Sequence, residues 1–109
     1  ILKNLIVYPE HMKRNIFIQH GLMMSENVMM HLANRLGRMT AHGLVYKCCM
    51  EAYEKEIPLK DVLMRNETVT GAFTEAEIDD MLNPLAYVGL APEFADRVVA
   101  KWTAKQWAR

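Results

Sequence analysis

The side chains of this chain best suited to nucleophilic, acid–base or metal chemistry are four histidines, two adjacent cysteines and Ser25. His11, His20, His31 and His42 include a run spaced by eleven, yet the run falls on different predicted elements. Neither an H-x-x-x-H nor a C-x-x-C spacing is present, so the ligand geometry of a structural or catalytic metal centre has no support. The histidines read instead as surface or helix-end residues. Cys48 and Cys49 point about 100° apart on a helix, which sets them against forming a disulfide with each other. They sit on the most apolar stripe of the chain and read as small buried hydrophobes. A catalytic thiol needs a histidine partner, and the sequence places none beside them. Ser25 lacks the Gly-x-Ser-x-Gly context of a nucleophile elbow and reads as a helix hydroxyl bonded to the preceding turn. Lys13, Arg14, Arg35 and Arg38 have the chemistry to clamp an anion. Scattered among acids, they read better as a solvated face.

The remaining distinctive residues are apolar. Nine methionines include Met23, Met24, Met29 and Met30 close together. A methionine-rich groove for a partner helix is one use and core packing is the favoured one, some of these side chains facing a neighbouring domain. Near the end, Trp102 continues a stripe from Phe94 and Val98 and is expected inside, while Trp107 faces elsewhere as an interface candidate.

The elements that position these residues are helical. Pro9 opens a helix that should carry Met12 and Ile16 inward. A second runs from Leu22 to Leu36, with Val28, Met29 and Leu32 on one side and Gly37 past its end. A third, about Met39 to Glu56, has the cleanest periodicity: Ala41, Leu44, Val45, Cys48, Cys49, Ala52 and Tyr53 form a buried stripe. Pro58 precedes a short helix from Leu59 to Arg65. Thr74 and Glu77 make a capping box, with Phe73 and Ile78 at the staple positions. Asn83-Pro84 stops that helix, Gly89 permits a positive φ, and Pro92 restarts a last helix carrying Phe94, Val98 and Trp102 inward. Glu67 to Phe73 is a weak strand candidate. The expected fold is all-α, a small domain of about six helices.

The 109 residues make one domain or part of a larger one. Thirteen basic and thirteen acidic residues cancel, which leaves no basic footprint for nucleic acid. No apolar run reaches the roughly 18 residues of a membrane span, and the first residues are too short for a signal peptide. Two adjacent cysteines and no disulfide framework point to a reducing cytoplasm. Ile1, Leu2, Leu5 and Ile6 share one helix face, which reads as the last turns of a helix whose beginning precedes the chain.

Several landmarks, in order, resemble one family. Asn4-Leu5-Ile6-Val7-Tyr8-Pro9-Glu10-His11-Met12-Lys13-Arg14-Asn15 resembles the opening of the C-terminal domain of adenylosuccinate lyases. Gly21-Leu22-Met23-Met24-Ser25-Glu26 is similar to the next helix start, and Leu36-Gly37-Arg38 with Ala41-His42 to a later landmark. Tyr87-Val88-Gly89-Leu90-Ala91-Pro92-Glu93-Phe94 completes the series. The domain is shared across the fumarase/aspartase superfamily and occurs in 3-carboxy-cis,cis-muconate cycloisomerases, which Cys48-Cys49 and Gly89-Leu90-Ala91-Pro92 also resemble. The resemblance implies a parent lyase that releases fumarate from adenylosuccinate and its purine-pathway analogue, acting as a homotetramer on a small-molecule substrate without metal or organic cofactor. It implies that residues 1–7 end a central-bundle helix and residues 8–109 form the C-terminal helical domain. No motif of the family's catalytic serine loop or catalytic histidines is found, so no catalytic, cofactor-binding or metal residue is assigned and the chain alone is expected to be inactive. A free-standing helical interaction module is the alternative of another class.

Overall fold

The computed structural model describes residues 2–107, and the side chains of residues 2–105. Ile1 and the side chain of Trp107 lie outside the described residues. Within them the chain is all-α, without a strand. Seven helices follow in order: α1 (Pro9–Phe17), α2 (Ser25–Leu36), α3 (Arg38–Lys55), α4 (Leu59–Arg65), α5 (Glu67–Ala72), α6 (Glu75–Met81) and α7 (Ala91–Trp107). Single 3-10 turns lie at Leu2–Asn4, Leu22–Met24 and Pro84–Ala86.

The centre of the fold is the α2–α3 hairpin. Gly37 connects the two helices with φ +81° and ψ 153°, a conformation open to a residue without Cβ. Val28 and Leu32 of α2 face Ala41, Val45, Cys48 and Ala52 of α3, all buried. The i, i+3, i+4 spacing of these positions is what the sequence stripe expresses. Helices α4, α5 and α6 close the other side, contributing Leu59, Val62, Leu63, Val69, Ile78 and Met81. Lys60 of α4 clips α6 through Asp79 at 2.6 Å and Glu75 at 3.1 Å.

Caps set several boundaries. The Thr74 hydroxyl accepts from Glu77 N–H at 3.3 Å, and Glu77 Oε2 accepts from Thr74 N–H at 2.8 Å. Phe73 and Ile78 on either side of this box both join the core. Asn83 Oδ1 accepts from Leu85 N–H at 3.0 Å, fixing the turn after α6, and Gly89 has φ +54° before α7 begins.

Several expectations are corrected. Glu67 to Phe73 is helix α5 up to Ala72, not a strand. Its β-branched residues suggest a strand, but the Asn66 side chain caps Thr68 and Val69 N–H at 3.1 and 3.3 Å. A cap together with burial of Val69 outweighs a weak β preference. Residues expected inward on α1 and α7 are exposed, Met12 at 59%, Phe94 at 57%, Val98 at 67% and Trp102 at 64%; so is Tyr53 at the end of α3. Between Leu2 and Tyr8 the described backbone carries one 3-10 turn, at Leu2–Asn4; so short a segment holds no α-helix without packing.

These exposures have one cause. The buried residues among those described fall between Met24 and Met81. The flanks project from that core, giving extents of 62 × 29 × 22 Å and a radius of gyration of 18.7 Å. A compact chain of this length has about 13 Å.

Candidate functional site

The four histidines do not converge. His11 is exposed on α1, its ring stacked on Tyr8 with centroids 5.4 Å apart. His20 lies in the loop before α2 at φ +53°, and its carbonyl accepts from Leu59 N–H at 2.9 Å. His31 Nδ1 pairs with the Asn27 carbonyl one turn back, at 2.8 Å. His42 is exposed on α3. Among the described residues, no three histidine, cysteine, aspartate or glutamate side chains are grouped to hold a metal ion.

Three clefts gather polar groups, one of them, of about 300 Å³, beside His31, Asn34, Arg35, Glu77 and Asp80. The first, about 570 Å³, lies where Ile18, Gln19, His20 and Leu22 meet the end of α3 at Tyr53, Glu54, Lys55 and Glu56. Two non-glycine residues in the left-handed region, His20 and Glu56, border it. Lys55 is engaged by Glu51 at 2.7 Å. The carboxylates are exposed, so the cleft lacks the water exclusion that strengthens acid–base catalysis.

The second cleft, about 320 Å³, runs along the α2–α3 hairpin and brings Ser25, Glu26 and Met29 opposite Cys49, Tyr46, Val45 and His42. This is the one place where the sequence's candidate serine, a cysteine and a histidine share a wall. Its electrostatics do not activate the thiols. Burial pushes the Cys49 thiol up, with the Ser25 hydroxyl beside it pulling the other way. Cys48 is raised by burial first, then by Cys49 and Glu51. Raised thiols stay protonated and unreactive at neutral pH. Ser25 thus sits beside Cys49 on the wall of this cleft.

The basic residues are also distributed. Arg35 is neither an anion clamp nor simply solvated. Its guanidinium lies 4.1 Å over the Phe73 ring, donates to the Ala72 carbonyl, and pairs with Glu77 at 3.1 Å. Lys13 borders an apolar cleft of about 460 Å³, formed by α1 with Asn83, Pro84 and Leu85. Arg14 and Arg38 are exposed.

One tether has no sequence signal. Buried Asn27 donates from Nδ2 to the Met81 carbonyl at 2.8 Å, joining α2 to the end of α6. The Tyr87 phenol is pushed up first by desolvation, then by the charge and hydrogen bonding of Glu26 nearby. The first turn of α2 thus fastens the end of α6, just before the corner that leads into α7. Polar side chains here organise backbone, and the described residues bring no nucleophile–base–orienter set together.

A hairpin-centred helical domain with projecting flanks is the class of structure these features define. The chain belongs to the adenylosuccinate lyase C-terminus family, whose pattern matches residues 21–98. The family lies within the fumarase/aspartase superfamily. Adenylosuccinate lyase of Methanocaldococcus jannaschii is 41% identical over 107 residues, covering 97% of this chain and 23% of the relative. N-acetyl-S-(2-succino)cysteine lyase of Enterococcus italicus is 39% identical, covering 96% of this chain and 23% of that protein. The solved β-carboxy-cis,cis-muconate cycloisomerase of Acinetobacter calcoaceticus sp. ADP1 superposes with a TM-score of 0.86 at 35% identity, over 92% of this chain and 23% of its own. The chain spans about a quarter of the length of the curated relatives it matches.

Proposed function

We propose that this chain is the C-terminal domain of an adenylosuccinate lyase-like enzyme whose β-elimination releases fumarate from adenylosuccinate and its purine-pathway analogue. The observation that carries the reading is the 41% identity to an adenylosuccinate lyase across nearly the whole chain. In such a reaction a base removes a proton next to a carboxylate while an acid assists the departing amine. On this reading the reacting groups belong to other parts of the parent. Residues 1–7 then end a helix of a central bundle, and residues 8–109 form the helical domain beside it. The parent is a homotetramer in the cytoplasm, working on a small molecule.

A second reading is a 3-carboxy-cis,cis-muconate cycloisomerase. The likeness to a solved cycloisomerase at TM-score 0.86 favours it, as does 37% identity to the Pseudomonas aeruginosa enzyme over 93% of this chain. One experiment separates the two. The full-length parent is assayed with adenylosuccinate, fumarate release being followed by absorbance, and with 3-carboxymuconate, followed by loss of the diene absorbance as the lactone forms. Turnover of adenylosuccinate alone supports the first reading, and turnover of carboxymuconate alone replaces it with the second. The 109-residue chain should release no fumarate; turnover by it would show that the reacting groups lie within it.

A further inference from the structure

Helix α7 carries a complete amphipathic pattern on which nothing among the described residues is packed. At about 100° per residue, Ala91, Phe94, Ala95, Val98, Val99 and Trp102 fall within a stripe about 140° wide. Each of them is exposed. Arg97 and Lys101 follow one edge of that stripe, beside Phe94, and Lys105 continues their line just inside it. Arg97 is paired with Glu93 one turn back, while Lys101 and Lys105 meet no carboxylate among the described residues.

We infer that this stripe is the docking face for one helix in the remainder of the parent chain, a helix with its own apolar stripe and with carboxylates along the edge that meets Lys101 and Lys105. The inference rests on the lyase reading above and names the partner that reading leaves open. Charge selects this occupant over a second copy of the same helix. An antiparallel copy places each edge of the stripe against the same edge of its twin. Arg97 and Lys101 would then face Lys101 and Arg97, and like charges so placed oppose pairing. A parallel copy aligns the two helix macrodipoles side by side, with like ends together. The area gives the same answer. Taking about 200 Å² per aromatic side chain, Phe94 and Trp102 leave roughly 250 Å² in water. The whole stripe falls well short of the roughly 800 Å² per partner of a stable intermolecular interface. Covalent linkage within one chain supplies the effective concentration that a face this small needs. The elongated arrangement is also one that solved chains about four times as long contain.

Hydrogen exchange of the α7 amides, in the 109-residue chain and in the full-length parent, tests this. Exchange in the parent should be slower by about tenfold or more, and K101E/K105E in the parent should return much of that protection while leaving the Met24–Met81 core protected. Val98→Asp should do the same more completely. Equal α7 exchange in both chains overturns the inference. So does concentration-dependent protection in the short chain, which would make a second copy the occupant. Full protection in K101E/K105E overturns the acidic edge. Fumarate release by the same parent reports on the lyase reading separately: release without α7 protection sinks this inference alone, and protection without release sinks the reading that places it in a lyase.

Discussion

At the residue scale, the polar side chains with the most structural consequence are those that fasten backbone. Asn27 is buried, and its amide reaches across 54 positions of sequence to the Met81 carbonyl. Replacing it by alanine leaves that carbonyl without its donor in the interior, at a cost of about 1–3 kcal/mol. Asn27→Ala should therefore lower the midpoint of urea unfolding without changing its slope. A mutant as stable as the unmutated 109-residue chain would show that the tether is dispensable. Glu56 presents the opposite case. It ends α3 at φ +51°, where a side chain strains the backbone and glycine does not. Glu56→Gly should stabilise the chain by about 0.5–1 kcal/mol, read from the same unfolding curves, because no ion pair of Glu56 is found among the described residues. Neither effect follows from composition. An asparagine between Glu26 and Val28 gives no sign that its amide will be inside, and a glutamate before Ile57 gives no sign of a left-handed backbone.

At the element scale, local signals were legible and their consequences for packing less so. The α3 stripe, the stop at Asn83-Pro84 and the Thr74–Glu77 box can all be read directly from residue spacing, because each depends on neighbours within a turn or two. The box also makes a testable pH dependence. Glu77 is held below its ordinary value of 4.5, first by the hydrogen bond from the Thr74 backbone N–H, with further help from the Thr74 hydroxyl and Arg35. A carboxyl with a lower folded than unfolded value stabilises fully above the unfolded value, and its contribution is lost as pH falls through the folded one. The stability difference between the wild-type chain and Glu77→Gln should thus be present at pH 7 and disappear as pH drops below 4.5. Thr74→Ala, which removes the hydroxyl acceptor, should cost about 1 kcal/mol at neutral pH. Helix α5 was not legible, since Thr68, Val69 and Thr70 favour a strand by type and the deciding cap is the single Asn66 side chain. The candidate site was legible as residue types alone. That Ser25, Cys49 and His42 share a cleft depends on the antiparallel hairpin register, which no short-range pattern encodes.

At the scale of the molecule, the distribution of burial separates residues that hold this chain together from residues that face outward. Periodicity marks both alike: Leu63 and Phe94 each sit on a regular apolar stripe. Leu63 is fully buried, whereas Phe94 is 57% exposed. A pattern records that a face is to be covered and says nothing about whether the cover lies in the same 109 residues. This explains why the inward positions assigned to Met12, Phe94, Val98 and Trp102 failed while those assigned to Val28, Val45 and Ala52 held. The distinction has an energetic signature. Leu63→Ala removes contacts from a closed core and should cost about 2–5 kcal/mol. Phe94→Ala removes a side chain already mostly in water and should change the stability of the 109-residue chain by less than about 0.5 kcal/mol. Urea unfolding of the two variants, followed by helical circular dichroism, measures both. A cost for Phe94→Ala comparable to that for Leu63→Ala would mean that α7 folds back onto the core in solution. In the full-length parent the two costs should converge, because there Phe94 gains the surroundings that Leu63 already has.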